Sequence, residues 1–218
     1  YQNHRKFSTL ALQNIDSKKT SELVKNKRDL SPPHYFEKKS ILFNLQNEKQ
    51  VYDLSAKKIK SESTLSKPVS SEPVVYTENS QLIISRNGQE KVLKPAGQGH
   101  YIWGSLSPDK SRILFTVAGK GTYISDLEGK IIAGLGHANY PNWSPDGRWV
   151  VGVQDRDDGH KITHSEIIVV SADGQNKYQL TNTENKIELN PDWSPVENKI
   201  VYDTIDGKIE ILQLSINE

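Results

Sequence analysis

Five of the six histidines in the chain stand where a repeated sequence unit begins or where a unit is lengthened. Three precede the first apolar segment of a unit, in SPPHYF, GQGHYIW and GLGHANY, and these are His34, His100 and His137. The other two, His160 and His164, lie in an inserted stretch, QDRDDGHKITHS. Imidazole and carboxylate together suit a transition metal. The histidines therefore allow a divalent-metal site, supplemented by the acidic residues of the inserted stretch, Asp155, Asp157 and Asp158.

A second interpretation gives each histidine a local role, in which the ring binds a nearby backbone group or covers the edge of a sheet. The spacing is not that of a known ligand motif such as His-Glu-x-x-His. The stretch DRDDGHK also lacks the full series of a calcium-binding loop. We favour the local roles and expect no cofactor, and we keep a metal site of His34, His100, His137, His160 and His164 as the alternative.

Aromatic side chains near the starts of the units offer a different chemistry. Tyr101 and Tyr140 each stand close to a unit start, where a ring can stack on a sugar or grip a peptide. The inserted segment 154–165 is predicted to be a long loop, and long loops on rigid scaffolds often carry function. The predicted binding residues are Tyr101, Tyr140, His100, His137, Asp157, Asp158 and His160.

A repeated corner positions these residues. Trp-Ser-Pro-Asp-Gly at 143–147 returns as Trp-Ser-Pro at 193–195 and as Leu-Ser-Pro-Asp at 106–109. Proline fixes φ, and Asp-Gly tolerates the dihedral angles of a tight turn. Each corner is followed by a strand-like run such as RILFTV or WVVGV. The rings of Trp143 and Trp193, with Leu106 in the equivalent place, are predicted to pack between neighbouring sheets.

The spacing of the corners predicts the architecture. The Ser-Pro pairs at 107, 144 and 194 are 37 and 50 residues apart, close to the ~40–45 residues of a four-stranded propeller blade. Weaker units follow the same pattern at 33–61 and 67–95, and 6–26 is predicted to be one more strand pair. We therefore predict an all-β fold, a β-propeller of five or six four-stranded antiparallel blades. It would form one domain over 1–218, with residues 1–30 as a possible source of the ring-closing strand.

The second unit resembles a known family. WSPDG, followed by WVVGVQDRDDG and EIIVVSADGQNKYQLT, is similar to the WD40-like repeat of TolB-type bacterial propellers. The resemblance implies a propeller that is often exported to the cell envelope and works by binding proteins. Related repeats occur in prolyl-oligopeptidase-type peptidases and in oligogalacturonate lyases, whose site is built from histidines on propeller loops.

Composition excludes several classes of function. The formal net charge of +1 argues against a nucleic-acid binder, and no apolar stretch is long enough to span a membrane. There is no cysteine for a disulfide or a thiolate nucleophile, and WGSLS at 103–107 is not a Gly-x-Ser-x-Gly elbow. Lys57, Lys58 and Lys60 are predicted to protect the edge of a sheet. Because position 1 is not Met, we expect the chain to begin inside a longer gene product, as after removal of a signal peptide.

These observations favour a non-catalytic binding scaffold of the cell envelope, periplasmic or envelope-associated. We expect it to recognise a protein or glycan partner through loops at the mouth of the central channel. The alternative is a metal-assisted carbohydrate-active enzyme, similar to oligogalacturonate lyases, that uses the histidine cluster on the same face.

Overall fold

The structure is a computed structural model that describes residues 8–13, 19–27, 34–36, 40–45, 48–61, 72–184 and 186–214. These residues form twenty β-strands and no helix, which confirms the predicted all-β class. None of the described residues belongs to a helix able to cross a bilayer. The chain divides into two compact units, Tyr1–Pro68 and Val69–Glu218, and a single domain over 1–218 stays a prediction.

The first unit contains a strand pair and a four-stranded sheet. The pair is β1 (Ser8–Gln13) and β2 (Thr20–Lys27), which confirms the strand pair predicted at 6–26. The sheet has the order β3 (His34–Phe36), β4 (Ser40–Leu45), β5 (Glu48–Asp53) and β6 (Lys58–Ser61). Lys58 and Lys60 are exposed on the edge strand β6, as predicted, and Lys57 lies in the turn before it. The ring-closing role of residues 1–30 stays a prediction.

The second unit contains four antiparallel sheets whose strands follow chain order. The first sheet is β7 (Val74–Glu78), β8 (Gln81–Arg86) and β9 (Gln89–Leu93). The second is β10 (Tyr101–Leu106), β11 (Arg112–Val117), β12 (Gly121–Asp126) and β13 (Ile131–Gly136). The third is β14 (Asn139–Trp143), β15 (Trp149–Asp157), β16 (Ile162–Ser171) and β17 (Lys177–Gln179). The fourth is β18 (Glu188–Trp193), β19 (Lys199–Thr204) and β20 (Ile209–Gln213).

The Ser-Pro-Asp corner joins the first and second strands of a sheet through its own side chains. Ser144 Oγ donates to Asp146 Oδ1 at 2.6 Å and accepts the Trp149 N–H at 2.9 Å. Asp146 Oδ1 also accepts the Arg148 N–H at 3.0 Å. The corner at 107–112 repeats this pattern, with a 2.5 Å bond from Ser107 Oγ to Asp109 Oδ1. The repeated motif is therefore a turn that is held closed by hydrogen bonds from its own serine and aspartate side chains.

Side chains just before each corner hold consecutive sheets together. Trp143 packs on a cluster shared by the second and third sheets, which includes Leu114 and Ile168. The Arg112 guanidinium lies 5.0 Å from the centroid of the Trp143 ring and donates to the Gly147 carbonyl at 2.8 Å. Such a cation–π contact adds about 0.5–1 kcal/mol at an exposed site.

Equivalent side chains pack between the other pairs of neighbouring sheets. Trp193 packs on the cluster between the third and fourth sheets, and Leu106 packs on the cluster between the first and second. The Trp193 Nε1–H also donates to the Asn142 carbonyl at 3.3 Å. The predicted packing of these three side chains between sheets is confirmed.

First strands of consecutive sheets also contact one another, in the series β7, β10, β14 and β18. This arrangement brings residues at equivalent positions of successive units close together. Residues that recur near the start of a first strand can therefore come into contact across neighbouring sheets.

A glycine substitution tests the contact between the second and third sheets. Gly174 has a φ of 76°, and a Cβ there would lie 2.7 Å from the Gly134 carbonyl oxygen on β13. Gly88 also has a φ of 76°, in the β8–β9 turn, but a Cβ there meets nothing within 4 Å. Gly88→Ala should lower the free energy of unfolding by about 1 kcal/mol through left-handed strain. Gly174→Ala should lower the free energy of unfolding, measured with urea, by at least about 1 kcal/mol more than Gly88→Ala does. Equal losses in the two variants would contradict the contact.

The corner aspartates predict an acid-sensitive contribution to stability. Hydrogen bonds from Ser107 and Ser111 lower the pKa of Asp109 to about 2. Partial burial opposes the shift at Asp146, but bonds from Ser144 and Arg148 still lower its pKa to about 2. Because the unfolded carboxyl titrates near pH 3.9, this stabilisation is complete above that pH and lost as the pH falls from about 4 to about 2. Urea unfolding between pH 5 and 2.5 should show a weaker pH dependence in Asp146→Asn, and an unchanged dependence would contradict the assignment.

Candidate functional site

Antiparallel pairing brings the start of each first strand beside the turn between the second and third strands. In the third sheet Asn139 pairs with Val153, which places His137 beside the end of β15. We call this the top end of the sheets, meaning the starts of β10, β14 and β18 with the β11–β12, β15–β16 and β19–β20 turns. His100 and His137 lie there, as the sequence predicts.

His137 forms a polar cluster with two neighbours at the top end. Its Nε2 lies 2.5 Å from Asp155 Oδ1, and Asn139 Nδ2 donates to the same oxygen at 2.8 Å. The Asp155 side chain is only 14% exposed, whereas the His137 side chain is 54% exposed. No hydrogen bond from the residues that the structure describes reaches Asp155 Oδ2. This carboxylate is therefore nearly enclosed, with one oxygen still able to accept.

The first strands carry a bulge at one repeated position. Each of β10, β14 and β18 shifts register once along its pairing with the second strand. At each shift one non-glycine residue has a positive φ: Trp103 at 54°, Tyr140 at 51° and Asn190 at 50°. All three stand four residues before the serine of a Ser-Pro pair. Bulges re-aim side chains, and a positive φ in an aromatic residue costs about 1–3 kcal/mol.

The bulges place Trp103 and Tyr140 against each other. Their ring centroids are 4.6 Å apart at an interplanar angle of 39°, although the residues belong to different sheets. Both are half-buried, so part of each ring faces solvent. Burial raises the pKa of Tyr140, and the negative charges of Asp155 and Asp203 raise it further. Tyr140 therefore lies in the field of two carboxylates.

Asn190 is the third member of the series. Its Nδ2 donates to Asp203 Oδ1 at 3.1 Å and Oδ2 at 3.2 Å. Burial raises the pKa of Asp203, while the bond from Asn190 opposes this shift. Across the described chain, neither Asp155 nor Asp203 pairs with a lysine or arginine. We name the set the top-end row: Trp103, Tyr140 and Asn190, with Asp155 and Asp203.

Tyr101 lies in the core, in contrast to its predicted place on the binding surface. It is 3% exposed, and its ring packs on Phe115 at a centroid distance of 5.6 Å. Its hydroxyl donates to the Gly97 carbonyl at 2.7 Å and accepts the Ala96 N–H at 3.1 Å. The aromatic residue that β10 does present is Trp103, because the bulge changes the side to which the strand directs its side chains.

The inserted segment 154–165 is a hairpin, and the prediction of a long loop is wrong. β15 and β16 continue to pair through Arg156 and His164, so only residues 158–161 form the turn. Asp158 Oδ1 accepts the N–H groups of His160 and Lys161 at 2.9 and 3.0 Å, and Asp157 Oδ1 accepts the Gly159 N–H at 2.8 Å. Asp157, Asp158 and His160 are exposed at the tip, where the two carboxylates close the turn.

The histidines of the metal hypothesis have separate partners. His100 Nδ1 lies 3.0 Å from Ser80 Oγ, His137 contacts Asp155, and His164 Nε2 lies 3.1 Å from Glu166 Oε1. His160 is in the hairpin tip, and the His34 side chain lies outside the described residues. In the part of the chain that is described, no group of three His, Cys, Asp or Glu could hold a metal ion. The metal site stays a prediction.

Two buried carboxylates lie near the top end of the third and fourth sheets, and the sequence analysis missed both. Glu188 is completely buried, and its Oε2 accepts the Thr181 hydroxyl at 2.5 Å and the Ile167 N–H at 3.2 Å. Glu166 is 3% exposed; its Oε1 accepts the Thr183 N–H at 2.8 Å, whereas its buried Oε2 has no partner among the described residues. Both carboxylates thus bind the connection between β17 and β18. The only sequence signal is a glutamate at the start of an otherwise apolar run, EIIVV.

Comparison with known proteins gives the fold. No protein-family model and no curated protein sequence matches the chain. Among solved structures, TolB from Acinetobacter baumannii is 15% identical, with a TM-score of 0.65 over 93% of this chain. The fold is that of a TolB-like β-propeller. The chain covers 58% of that TolB, a little over half of its length.

Two further structures support the TolB-like fold. A TolB assigned in Agrobacterium tumefaciens is 16% identical with a TM-score of 0.62, over 96% of this chain and 86% of that protein. A chain of a nidogen/laminin complex is 10% identical with the same TM-score, over 93% of this chain and 84% of its own length. The predicted resemblance to TolB-type propellers is confirmed as a likeness of fold. Ring closure and a count of five or six blades stay predictions.

The buried glutamate pair predicts a substitution that stabilises the protein. Burial raises the pKa of Glu188, and the charge of Glu166 raises it further. The ionised form is therefore disfavoured on folding, so this penalty is present at neutral pH and disappears as the pH falls to about 4. Glu188→Gln keeps an oxygen for Thr181 and should raise the free energy of unfolding at pH 8, with the gain closing towards pH 4.

The control is Glu210→Gln, which should lower the free energy of unfolding at pH 8 instead of raising it. Bonds of 2.7 Å from Lys186 lower the pKa of Glu210, so its ionised form is favoured in the folded state. Urea unfolding at pH 8 and pH 4 checks both variants. A Glu188→Gln protein less stable than the wild type at pH 8 would contradict the electrostatic argument.

Proposed function

We propose that the chain is a non-catalytic binding scaffold of the bacterial cell envelope, located in the periplasm, that recognises a protein partner through the top end of its sheets. The TolB-like fold supports this proposal, since the resemblance in the sequence implies an exported propeller that binds proteins. A propeller of five or six blades over 1–218 belongs to the same proposal. Function in such folds lies in the sites that they carry, so the top end must supply the recognition.

The contact of Trp103 with Tyr140 carries the proposal. Two half-buried aromatic rings from different sheets lie side by side at 4.6 Å, each on a residue with a positive φ. Residues in such strained conformations cluster at functional sites, and aromatic residues dominate the energetics of protein interfaces. Rigid sheets hold the rings in place, which lowers the entropic cost of binding.

Other predicted binding residues surround this contact. His100 and His137 lie at the same end of the sheets, and so does the β15–β16 hairpin tip with Asp157, Asp158 and His160. These exposed polar side chains provide the rim that encloses the aromatic centre of many interfaces. The scaffold would act by presenting this surface, with no bond made or broken.

Loss of one ring should weaken partner capture. Tagged wild-type protein, Trp103→Ala and Tyr140→Ala are each cross-linked in a periplasmic extract, and the proteins that the wild type captures are identified by mass spectrometry. Affinity for the partner so identified should then fall by about tenfold or more for either variant, as expected of a central aromatic residue.

The matched control is Tyr178→Ala, which removes an exposed tyrosine from β17, the fourth strand of its sheet. This variant should bind like the wild type. Equal capture by all four proteins would overturn the proposal, and so would a partner that survives protease digestion but is lost after glycosidase treatment.

A further inference from the structure

The top-end row combines aromatic rings with carboxylates that no lysine or arginine of the described residues pairs with. Tyr140 contacts the Trp103 ring and lies in the field of Asp155 and Asp203. In the described residues, the neighbours of these carboxylates are His137, Asn139 and Asn190, which donate to them, and no lysine or arginine pairs with either. The row is therefore negative beside an aromatic face.

Partial enclosure makes this arrangement costly for the free protein. Asp155 is only 14% exposed in its side chain, and burial raises the pKa of Asp203. A carboxylate withdrawn from water loses solvation that a neutral amide, such as that of Asn190 beside Asp203, restores only in part. A lysine or arginine side chain of a partner would pair with these two carboxylates. Its attraction to the two carboxylates would also be stronger than in open water.

We propose that the top-end row binds an arginine side chain of the partner protein, an inference that rests on the proposed scaffold function. The guanidinium is planar, stacks on aromatic faces and donates to carboxylates through a fork of N–H groups. Here it would lie against the exposed part of the Trp103 and Tyr140 rings and donate to Asp155 Oδ2 and to Asp203. An ammonium group has no plane to stack and is more strongly hydrated.

Amino-acid probes test this inference without knowledge of the partner. N-acetyl-arginine amide is titrated into ¹⁵N-labelled protein, and the indole N–H peak of Trp103 is followed, assigned from its loss in Trp103→Phe. We expect a saturable shift of this peak, with the peaks of Trp143 and Trp193 unmoved because these residues pack between sheets. N-acetyl-citrulline amide has the same shape without the charge and should produce no saturable shift. N-acetyl-lysine amide should bind more weakly than the arginine probe.

Variants locate the interaction. Asp203→Asn and Asp155→Asn should each weaken binding of the arginine probe by about three- to tenfold, as expected for a partly enclosed ion pair with a stacked guanidinium. Asp173→Asn removes an equal charge in the β16–β17 turn, at the opposite end of the sheets, and should leave binding unchanged. Thermal unfolding of each variant confirms that it is folded.

The outcomes separate this inference from the scaffold proposal. Equal binding of arginine and citrulline, equal binding of lysine, or no effect of either Asp variant would overturn the arginine assignment. A partner whose capture still needs Trp103 and Tyr140 would leave the scaffold proposal standing in that case. Capture that is independent of both rings would overturn the scaffold proposal itself.

Discussion

The second unit depends on one kind of contact, the insertion of a first-strand side chain into the apolar face of the preceding sheet. Trp143 makes this contact in the third sheet, Trp193 in the fourth and Leu106 in the second. Burial of apolar surface is the main favourable term in folding, and a single repeat unit cannot bury its apolar face alone. Because the inserted residue directly precedes the Ser-Pro corner, the contact that joins two sheets lies next to the turn that follows the first strand.

The top-end row is a consequence of this packing. Once first strands lie side by side, a bulge that recurs at one position brings residues from different units together. Trp103 meets Tyr140 in this way, and Asn190 continues the series one sheet further on. The strained backbone at these residues is tolerated because the surrounding strands are fixed by their own hydrogen bonds and packing. The scaffold and its candidate site therefore share one physical origin.

The sequence predicts the strands of all the units, but it misplaces two features of the site. Segment 154–165 contains few apolar residues, so alternation gives no sign of a strand, yet backbone pairing extends the hairpin through Arg156 and His164. Tyr101 stands close to a unit start, like Tyr140, but its ring faces the core and that of Tyr140 is partly exposed. The position of each tyrosine relative to the bulge explains this difference, and no residue type in β10 predicts the bulge.

By itself the sequence determined the corners and the order of the strands. The corner is local, since Ser144 closes its hydrogen bonds with Asp146 and Trp149 within six residues. Only the tertiary structure decided which side chains of the top end contact one another. The pairing of Trp103 with Tyr140 and the burial of Glu166 near Glu188 join residues of different sheets. Such contacts depend on how the sheets pack and on the dihedral angles of single residues, and neither quantity is encoded by local spacing.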